Sequence, residues 1–352
     1  MRKIVVRRPG GPGVLRLVVA AVPRPAGDDV LIHVEAAGVN FADCVARMGL
    51  YRSSWELVGW PFTPGFEVAG TVASVGEGVA DLAPGTPVMA VTRFGGYAEQ
   101  VVVPRAQVFP IPEHLSFAEA AALPVSFLTA LYAFELAALR RRADVLVHSA
   151  AGATGSAIAQ VSRLYGCRVV GVVGAAWKSD TAKRAGCAEV VVRSRTWHRE
   201  VAAHSPEGYA AVFDANGDTL RRSFSLVAPM GRLVVYGSHG IMSHRGLFVD
   251  IPATILRYAL MRRFGALELA NANISIMAFN LSYLFRETER LRRMVGTLFK
   301  HVNAGRLSVP PIEAFDLADA AAAHRKLQSG DTTGKLVLSF CRPESSSLKT
   351  PQ

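Results

Sequence analysis

Through the first 115 residues the apolar positions come in short β-branched runs. These are Val30 to Val34, Gly70 to Val75, Val88 to Val91 and Gln100 to Val103. Turn formers separate them, as at Pro9-Gly10-Gly11-Pro12-Gly13, Gly76-Glu77-Gly78 and Pro84-Gly85. Such runs between turn signals predict a barrel-like β domain with short hairpins. The pattern changes at Ser116-Phe117-Ala118-Glu119, a capping box in front of an alanine-rich helix. From Asp144 onward, strands alternate with helices. Strands are predicted at Val145 to His148, Arg168 to Val173, Val190 to Val192, Ala211 to Phe213 and Leu233 to Val235. A glycine turn and a helix through Tyr165 follow the first strand, and a helix from Lys178 to about Ala185 follows the second. This alternation predicts a parallel sheet with right-handed crossovers, the doubly wound α/β class.

After Gly237 the alternation weakens. Residues 241–270 are apolar and basic, with Arg257, Arg262 and Arg263 expected on one helix. Such a helix suits a packed lid or domain link, and a membrane-surface helix has the same composition. A long charged helix is expected from Tyr283 to Asn303, ended by Gly305. Another is expected from Asp316 to Gln328, capped by Asp316, and then a strand at Lys335 to Leu338. Residues after Arg342 read as a loose tail.

Composition narrows the function classes. The chain has 352 residues, half of them hydrophobic, which excludes a disordered chain and gives core enough for two domains. Cys44, Cys167, Cys187 and Cys341 form no CxxC pair, so free thiols in a reducing cytoplasm are expected. The most apolar stretch, Ala120 to Phe134, has 15 residues and contains Pro124. A membrane span needs about 20, so no integral membrane segment is expected. The net charge of +11 invites a nucleic-acid reading, but the arginines are dispersed, with short clusters such as Arg140-Arg141-Arg142. A basic surface or an anionic cofactor accounts for that charge without nucleic acid.

The segment His148 to Ala157 follows a strand and opens a helix. Gly152 and Gly155 let the backbone turn and approach a pyrophosphate, whose charge would face the free N–H groups at the helix start. A plain strand-to-helix turn uses the same glycines. The tip of the second strand, Gly174-Ala175-Ala176-Trp177-Lys178, has no acid for a ribose 2′-hydroxyl. Small residues there leave room for a 2′-phosphate, with Lys178 and Arg193 as its cations. Asp180 is the competing partner for Lys178.

Several motifs, taken in order, resemble one family. They are Gly38-Val39-Asn40-Phe41-Ala42-Asp43, Gly49-Leu50-Tyr51, Pro64-Gly65-Phe66-Glu67-Val68-Ala69-Gly70, Ala120 to Pro124, Ala150-Ala151-Gly152 and Gly334-Lys335-Leu336-Val337-Leu338. Together they resemble the medium-chain dehydrogenase/reductase superfamily in its zinc-free quinone oxidoreductase branch. Asn40 to Tyr51 and Phe279 to Leu284 most resemble the vesicle amine transport protein group. The resemblance implies a GroES-like β-barrel catalytic domain, residues 1–123 completed by about 270–352. It implies a Rossmann NADP(H)-binding domain at 124–269, with the cleft between the two. It places Thr129 near the nicotinamide and puts Gly152, Ala153, Thr154 and Gly155 on the pyrophosphate. Gly174 and Lys178 fall at the 2′-phosphate, and Gly237, Ser238 and His239 border the nicotinamide. A serine is common where Gly174 stands and a tyrosine where Arg193 stands. NADPH is the cofactor expected, and homodimers through a Rossmann edge strand are common, with Ile274 to Phe279 as the edge here.

Zinc-dependent relatives have Gly-His-Glu where this chain has Gly65-Phe66-Glu67, and Phe66 cannot ligate a metal. Hydride transfer without a metal suits quinones and activated C=C bonds. Asn40 could hold a substrate carbonyl or the nicotinamide ribose, or cap a turn. Tyr51 could donate a proton, or pack a loop. His239 could order the site, or be an exposed loop histidine, and Arg93 is a weaker candidate for the cleft. Three functions stay open: a quinone or enone reductase, an enoyl-thioester reductase of a fatty-acid or polyketide pathway, and a cofactor-binding partner protein without catalysis.

Overall fold

The computed structural model describes residues 1–140, 142–241, 244–245, 248–249 and 251–340. β1 (Arg2–Val6) and β2 (Leu15–Val19) pair antiparallel as a ribbon. β3 (Asp29–Val39) leads into two short helices, α1 (Phe41–Arg47) and α2 (Arg52–Leu57). β4 (Glu67–Val75), β5 (Pro87–Val91), β6 (Gln100–Pro104) and β7 (Val108–Pro110) follow. β3 pairs antiparallel with both β4 and β6, so the long strand is the spine of this lobe.

α3 (Phe117–Ala122) and α4 (Pro124–Ala137) come next. Ser116 caps α3 as expected: its hydroxyl accepts from the Glu119 backbone while the Glu119 carboxylate accepts from the Ser116 N–H. Such a cap is worth about 1 kcal/mol. Pro124 separates the two helices because its nitrogen has no N–H to donate to the Ala120 carbonyl, while Leu123 keeps helical angles. The stretch Phe117–Ala137 is apolar enough to cross a membrane, yet 67% of its most apolar window is buried within the fold. It serves here as the central core helix pair.

The alternating half then runs β8 (Asp144–His148), α5 (Ala153–Leu164), β9 (Arg168–Val173), α6 (Ser179–Arg184), β10 (Glu189–Val192), α7 (Trp197–His204), β11 (Tyr209–Asp214), α8 (Leu220–Ser225) and β12 (Val227–Val235). A ribbon, β13 (His244–Arg245) with β14 (Phe248–Val249), precedes α9 (Ile251–Ala259), α10 (Ala266–Ala272) and β15 (Ser275–Ala278). The six-stranded sheet has the order β10-β9-β8-β11-β12-β15, all parallel. Its strands are buried on both faces. Val145 and Val147 join the core around α4, while Leu146 points to the opposite core with Val170, Trp197 and Tyr209. That two-sided burial is why these strands read as continuous apolar runs.

The chain finishes with α11 (Leu281–Leu284), α12 (Thr288–Asn303), β16 (Ile312–Asp316), α13 (Ala320–Ser329) and β17 (Lys335–Ser339). β17 pairs antiparallel with β3 and parallel with β16, so the C-terminus returns to complete the first lobe's seven-stranded sheet.

Four expectations need correction. β15 belongs to the parallel sheet, so that unit extends beyond residue 269, at least to Ala278. The helix expected at 283–303 is two helices, because Glu287 between them leaves the helical conformation, at φ −84° and ψ 66°. Arg257 lies on α9, but Arg262 and Arg263 lie beyond its end; Arg262 instead pairs with Glu268. Asp316 caps a 3-10 turn, Leu317–Asp319, ahead of α13. Arg141, Cys341, the tail after Arg342 and parts of 241–250 lie outside the described residues.

Candidate active site

A cavity of about 770 Å³ lies between the two lobes. One wall is the end of the parallel sheet, where β8 runs into α5. Ser149 there takes a left-handed conformation, φ 54°. The tightest packing is at Gly155, where an added Cβ would sit 2.2 Å from the Ser149 carbonyl oxygen. A Cβ on Gly152 would meet that oxygen at 3.4 Å, an ordinary contact, so Gly155 is the glycine the turn requires. Gly152, Ala153, Thr154 and Gly155 all line the cavity, at the N-terminus of a 12-residue helix. β17 docks on this turn, with the Gly334 N–H donating to the Ala151 carbonyl at 2.9 Å.

The strand tips fill in the rest of this wall. Gly174 ends β9, and a Cβ there would meet nothing within 4 Å. Lys178 and Arg193 both line the cavity beside it. The Lys178 ammonium donates to the Gly330 carbonyl across the cleft and lies 5.0 Å from the Trp177 ring centre, while burial lowers its pKa. No ion pair between Lys178 and Asp180 is found among the described residues; Arg193 reaches Asp218 at 3.9 Å. Gly237 packs on Ala215, and Ser238 is exposed beside it. His239 is not an exposed loop histidine. Its ring meets Phe41 edge-on at 5.4 Å, and its Nε2 is 3.4 Å from the Ser149 hydroxyl. Burial, with Arg193 nearby, lowers its pKa to about 4, so the ring is neutral at physiological pH. Tyr236 and Asn216 also line the cavity, and sequence reasoning missed them. The Tyr236 hydroxyl and the Asn216 amide nitrogen are buried without a protein partner.

The facing wall comes from the first lobe, with Thr129 of α4 at the seam. Asn40 is held at both ends. Its Nδ2 donates to Glu67 Oε1 at 2.8 Å, and its Oδ1 accepts from Lys335 Nζ at 2.6 Å. Lys335 also pairs with Glu67 at 2.5 Å, and Glu67 Oε2 accepts from the Val125 N–H at 2.7 Å. All three side chains are buried. Gly38 makes room for them, since a Cβ there would sit 2.3 Å from Glu67 Oε1. Asp43 accepts from the Asn40 and Gly65 N–H groups, both at 2.8 Å, and burial lifts its pKa to about 7. Sequence reasoning noted Glu67 and Lys335 as motif letters only. Their partnership spans 268 positions, from residue 67 to 335, and is visible only in the fold.

Tyr51 lines the cavity and its hydroxyl donates to Asn280 Oδ1 at 2.6 Å. Burial raises its pKa, so it stays protonated. Asn280 also caps α11, accepting from the Ser282 N–H, and Ser282 reaches Ser53 at 3.1 Å. Around Tyr51 the wall is apolar: Leu50, Phe66, Phe279, Leu281 and Phe285. Arg93 does not line the cavity. Cys44 is buried, its thiol held near 12 by burial, and lies 3.4 Å from His324 Nδ1. Among the described residues, no cluster of three or more His, Cys, Asp or Glu side chains is placed to hold a metal ion.

Two family models match the chain, an alcohol dehydrogenase GroES-like domain at residues 26–113 and a zinc-binding dehydrogenase domain at 185–338. The rat synaptic vesicle membrane protein VAT-1 homolog is 35% identical over 322 residues, covering 91% of this chain and 78% of that protein. This chain belongs to the medium-chain dehydrogenase/reductase family, in its quinone oxidoreductase branch. The quinone oxidoreductase of Thermus thermophilus, solved also as its complex with NADPH, superposes with a TM-score of 0.78. It is 32% identical, over 97% of this chain and all of that one. A segment of a phenolphthiocerol/phthiocerol polyketide synthase from Mycobacterium tuberculosis is 30% identical across 96% of this chain, although that is only 15% of the synthase polypeptide. The zinc-binding model matches residues outside Gly65-Phe66-Glu67; at that position Phe66 has no ligating atom and Glu67 pairs with Lys335.

Proposed function

We propose that this chain is an NADPH-dependent reductase that passes hydride to a quinone or an activated C=C bond without a metal. The observation that carries the reading is the continuous cavity joining the Gly152–Gly155 turn and Lys178 at one end to Tyr51 and Asn280 at the other. The residues fit the cofactor. The open face of Gly174 leaves room for a 2′-phosphate, and the unpartnered polar atoms of Tyr236 and Asn216 await a ligand. When bound, NADPH would supply the hydride.

The protein's own groups divide the remaining work. The α5 N-terminus and the Gly155 turn hold the pyrophosphate by exposed N–H groups. Lys178 and Arg193 bind the 2′-phosphate, Lys178 giving up the Gly330 carbonyl to do so. Thr129, Gly237, Ser238 and His239 enclose the nicotinamide end. Asn40 has no free end, so we assign it as a positioning residue that fixes the start of α1, rather than a substrate ligand. Tyr51 is the proton donor for an enolate, turning from Asn280 to the acceptor. A hydroquinone anion takes its proton from water. Tyr51→Phe should therefore cut enone or enoyl-thioester turnover at least tenfold and leave quinone turnover within about threefold. Equal losses would leave Tyr51 shaping the cleft only.

The second reading, an enoyl-thioester reductase, is favoured by the likeness to the polyketide synthase segment. The complete phosphate turn speaks for catalysis over a partner protein without it. The proposal includes a cytoplasmic homodimer: the described cysteines are free and buried, and among the described residues β15 is the edge strand of the parallel sheet. Steady-state NADPH oxidation with a quinone, an enone and a crotonyl thioester, after chelator treatment, tests the reading. Turnover that disappears with the metal, or no turnover with any acceptor, overturns it.

A further inference from the structure

Asn280 lines the cavity at the acceptor end, just ahead of α11. Its Oδ1 accepts from the Tyr51 hydroxyl at 2.6 Å, from the Ser282 N–H at 3.0 Å and from the Ser282 hydroxyl at 2.8 Å. A backbone N–H can only donate, so the atom it meets is the amide oxygen, and the orientation of the side chain is fixed. The other branch of the amide, Nδ2, carries N–H donors only. Among the described residues it donates to no protein group, while every bond that holds Asn280 ends on Oδ1.

Capping does not account for that branch. Aspartate and serine cap a helix about as well as asparagine, and only asparagine adds a donating arm. Other polar groups of this wall are spent: Asn40 is held by Glu67 and Lys335, and Lys335 pairs with Glu67. The surroundings of Asn280 and Tyr51 are apolar, with Phe66, Phe279, Leu281 and Phe285 on the same wall. A fixed donor in such a setting acts on a developing charge more strongly than it would in water.

We propose that Asn280 is a catalytic residue whose Nδ2 donates to the carbonyl oxygen of the acceptor and stabilises the negative charge that gathers there. The inference rests on the reductase reading and adds to it the group that meets this charge. An enone takes a hydride from NADPH at its β-carbon, its C=C electron pair moves onto the carbonyl oxygen, and NADP+ remains. The enolate then takes a proton at its α-carbon from Tyr51, which recovers one from water. A quinone takes the same hydride and becomes a hydroquinone anion, again with the charge on oxygen. Both acceptors thus pass through an oxyanion beside Asn280, whereas only the enolate needs Tyr51.

Asn280→Asp tests this in the full chain, since it keeps an oxygen for Tyr51 and Ser282 and replaces only the donating arm. A missing oxyanion donor costs about 10²- to 10³-fold in turnover. Asn280→Asp should therefore slow enone and quinone reduction by at least about 100-fold each, with NADPH affinity nearly unchanged. Asn280→Thr keeps a capping oxygen without a charge and should lose at least about tenfold on both acceptors. A second readout needs no turnover. With NADP+ bound, 4-nitrophenol stands in for the enolate, and its visible absorbance reports its ionisation. Its apparent pKa should be at least about one unit lower in the parent than in Asn280→Thr, because a donor favours the charged form. Either variant reducing both acceptors within about threefold of the parent overturns the proposal, as does a loss confined to the enone or an unmoved phenol pKa. Loss of NADPH binding in both variants overturns it too, since Asn280 is then a structural cap. The reductase reading fails separately: if the phenol pKa moves as expected but the parent reduces no acceptor, Asn280 holds an oxyanion and the reaction does not occur.

Discussion

The two ends of the cleft are built on different principles. The nucleotide end is made of backbone: a turn in which Gly155 has no room for a Cβ, a helix start, and strand tips with open space. The acceptor end is made of side chains drawn from distant parts of the chain, with Asn40, Glu67 and Lys335 bonded to one another and Tyr51 bonded to Asn280. A backbone site reads a phosphate through N–H groups that any residue supplies, so its constraint falls on the few positions where a side chain would intrude. A side-chain site depends on partners that must all be present, so removing one leaves another buried and unpaired.

Glycine substitutions test the backbone end. Gly155→Ala drives a methyl into the Ser149 carbonyl and should weaken NADPH binding at least about 100-fold by fluorescence titration, at about 1.4 kcal/mol per decade. Gly152→Ala should be tolerated several-fold better. Comparable losses at both would mean the turn is not held by close packing at Gly155.

At the acceptor end the expected failure is in stability. Lys335→Met leaves Glu67 buried without its cation and should cost about 3–5 kcal/mol in denaturant unfolding. Lys335→Met with Glu67→Gln should recover a good part of that. If the single variant melts like the parent, the trio is ornamental to the fold.

Lys178→Ala sharpens the nucleotide side. A charge-assisted contact to the 2′-phosphate is worth about 1.5–3 kcal/mol, so NADPH should bind roughly 10- to 150-fold more weakly, and NADH nearly unchanged. Equal weakening of both would make Lys178 a structural clasp on Gly330.

A more gradual effect is on pH. His324 and His239 have pKa values lowered by burial to about 3 and about 4, so the unfolded chain binds up to two more protons there below pH 6.5. Asp43, raised by burial to about 7, works the other way and binds one proton more in the folded chain. The net is one proton favouring unfolding. These groups should therefore lower stability by about 1.4 kcal/mol per pH unit as pH falls from about 6 to 4.5. His324→Gln should flatten that slope in pH-dependent melts. An unchanged slope would mean that His324 titrates normally.

The same contrast explains what the sequence disclosed. The nucleotide end is local. β8, the turn and α5 are consecutive, and the strands carry apolar runs because both faces are buried. The capping box at Ser116 is likewise complete within four residues. The acceptor end is tertiary. Nothing near Asn40 announces that Lys335 will hold its carbonyl, and nothing near Tyr51 announces Asn280. Glu287 interrupts an otherwise regular helical pattern, and no proline or glycine there announces the break. β15 was legible as an edge of the Rossmann sheet through the resemblance, while the expected domain bound at 269 left it outside that unit.

Isotope tracing follows hydride delivery from NADPH inside this cleft. The enzyme is supplied with NADPH deuterated at the transferring C4 position and an enone acceptor, and the product is examined by mass spectrometry. The account predicts one deuterium at the β-carbon of the saturated ketone, with its yield cut at least tenfold in Tyr51→Phe. A reduced product without deuterium, or an enone returned unchanged while NADPH is bound, would contradict it.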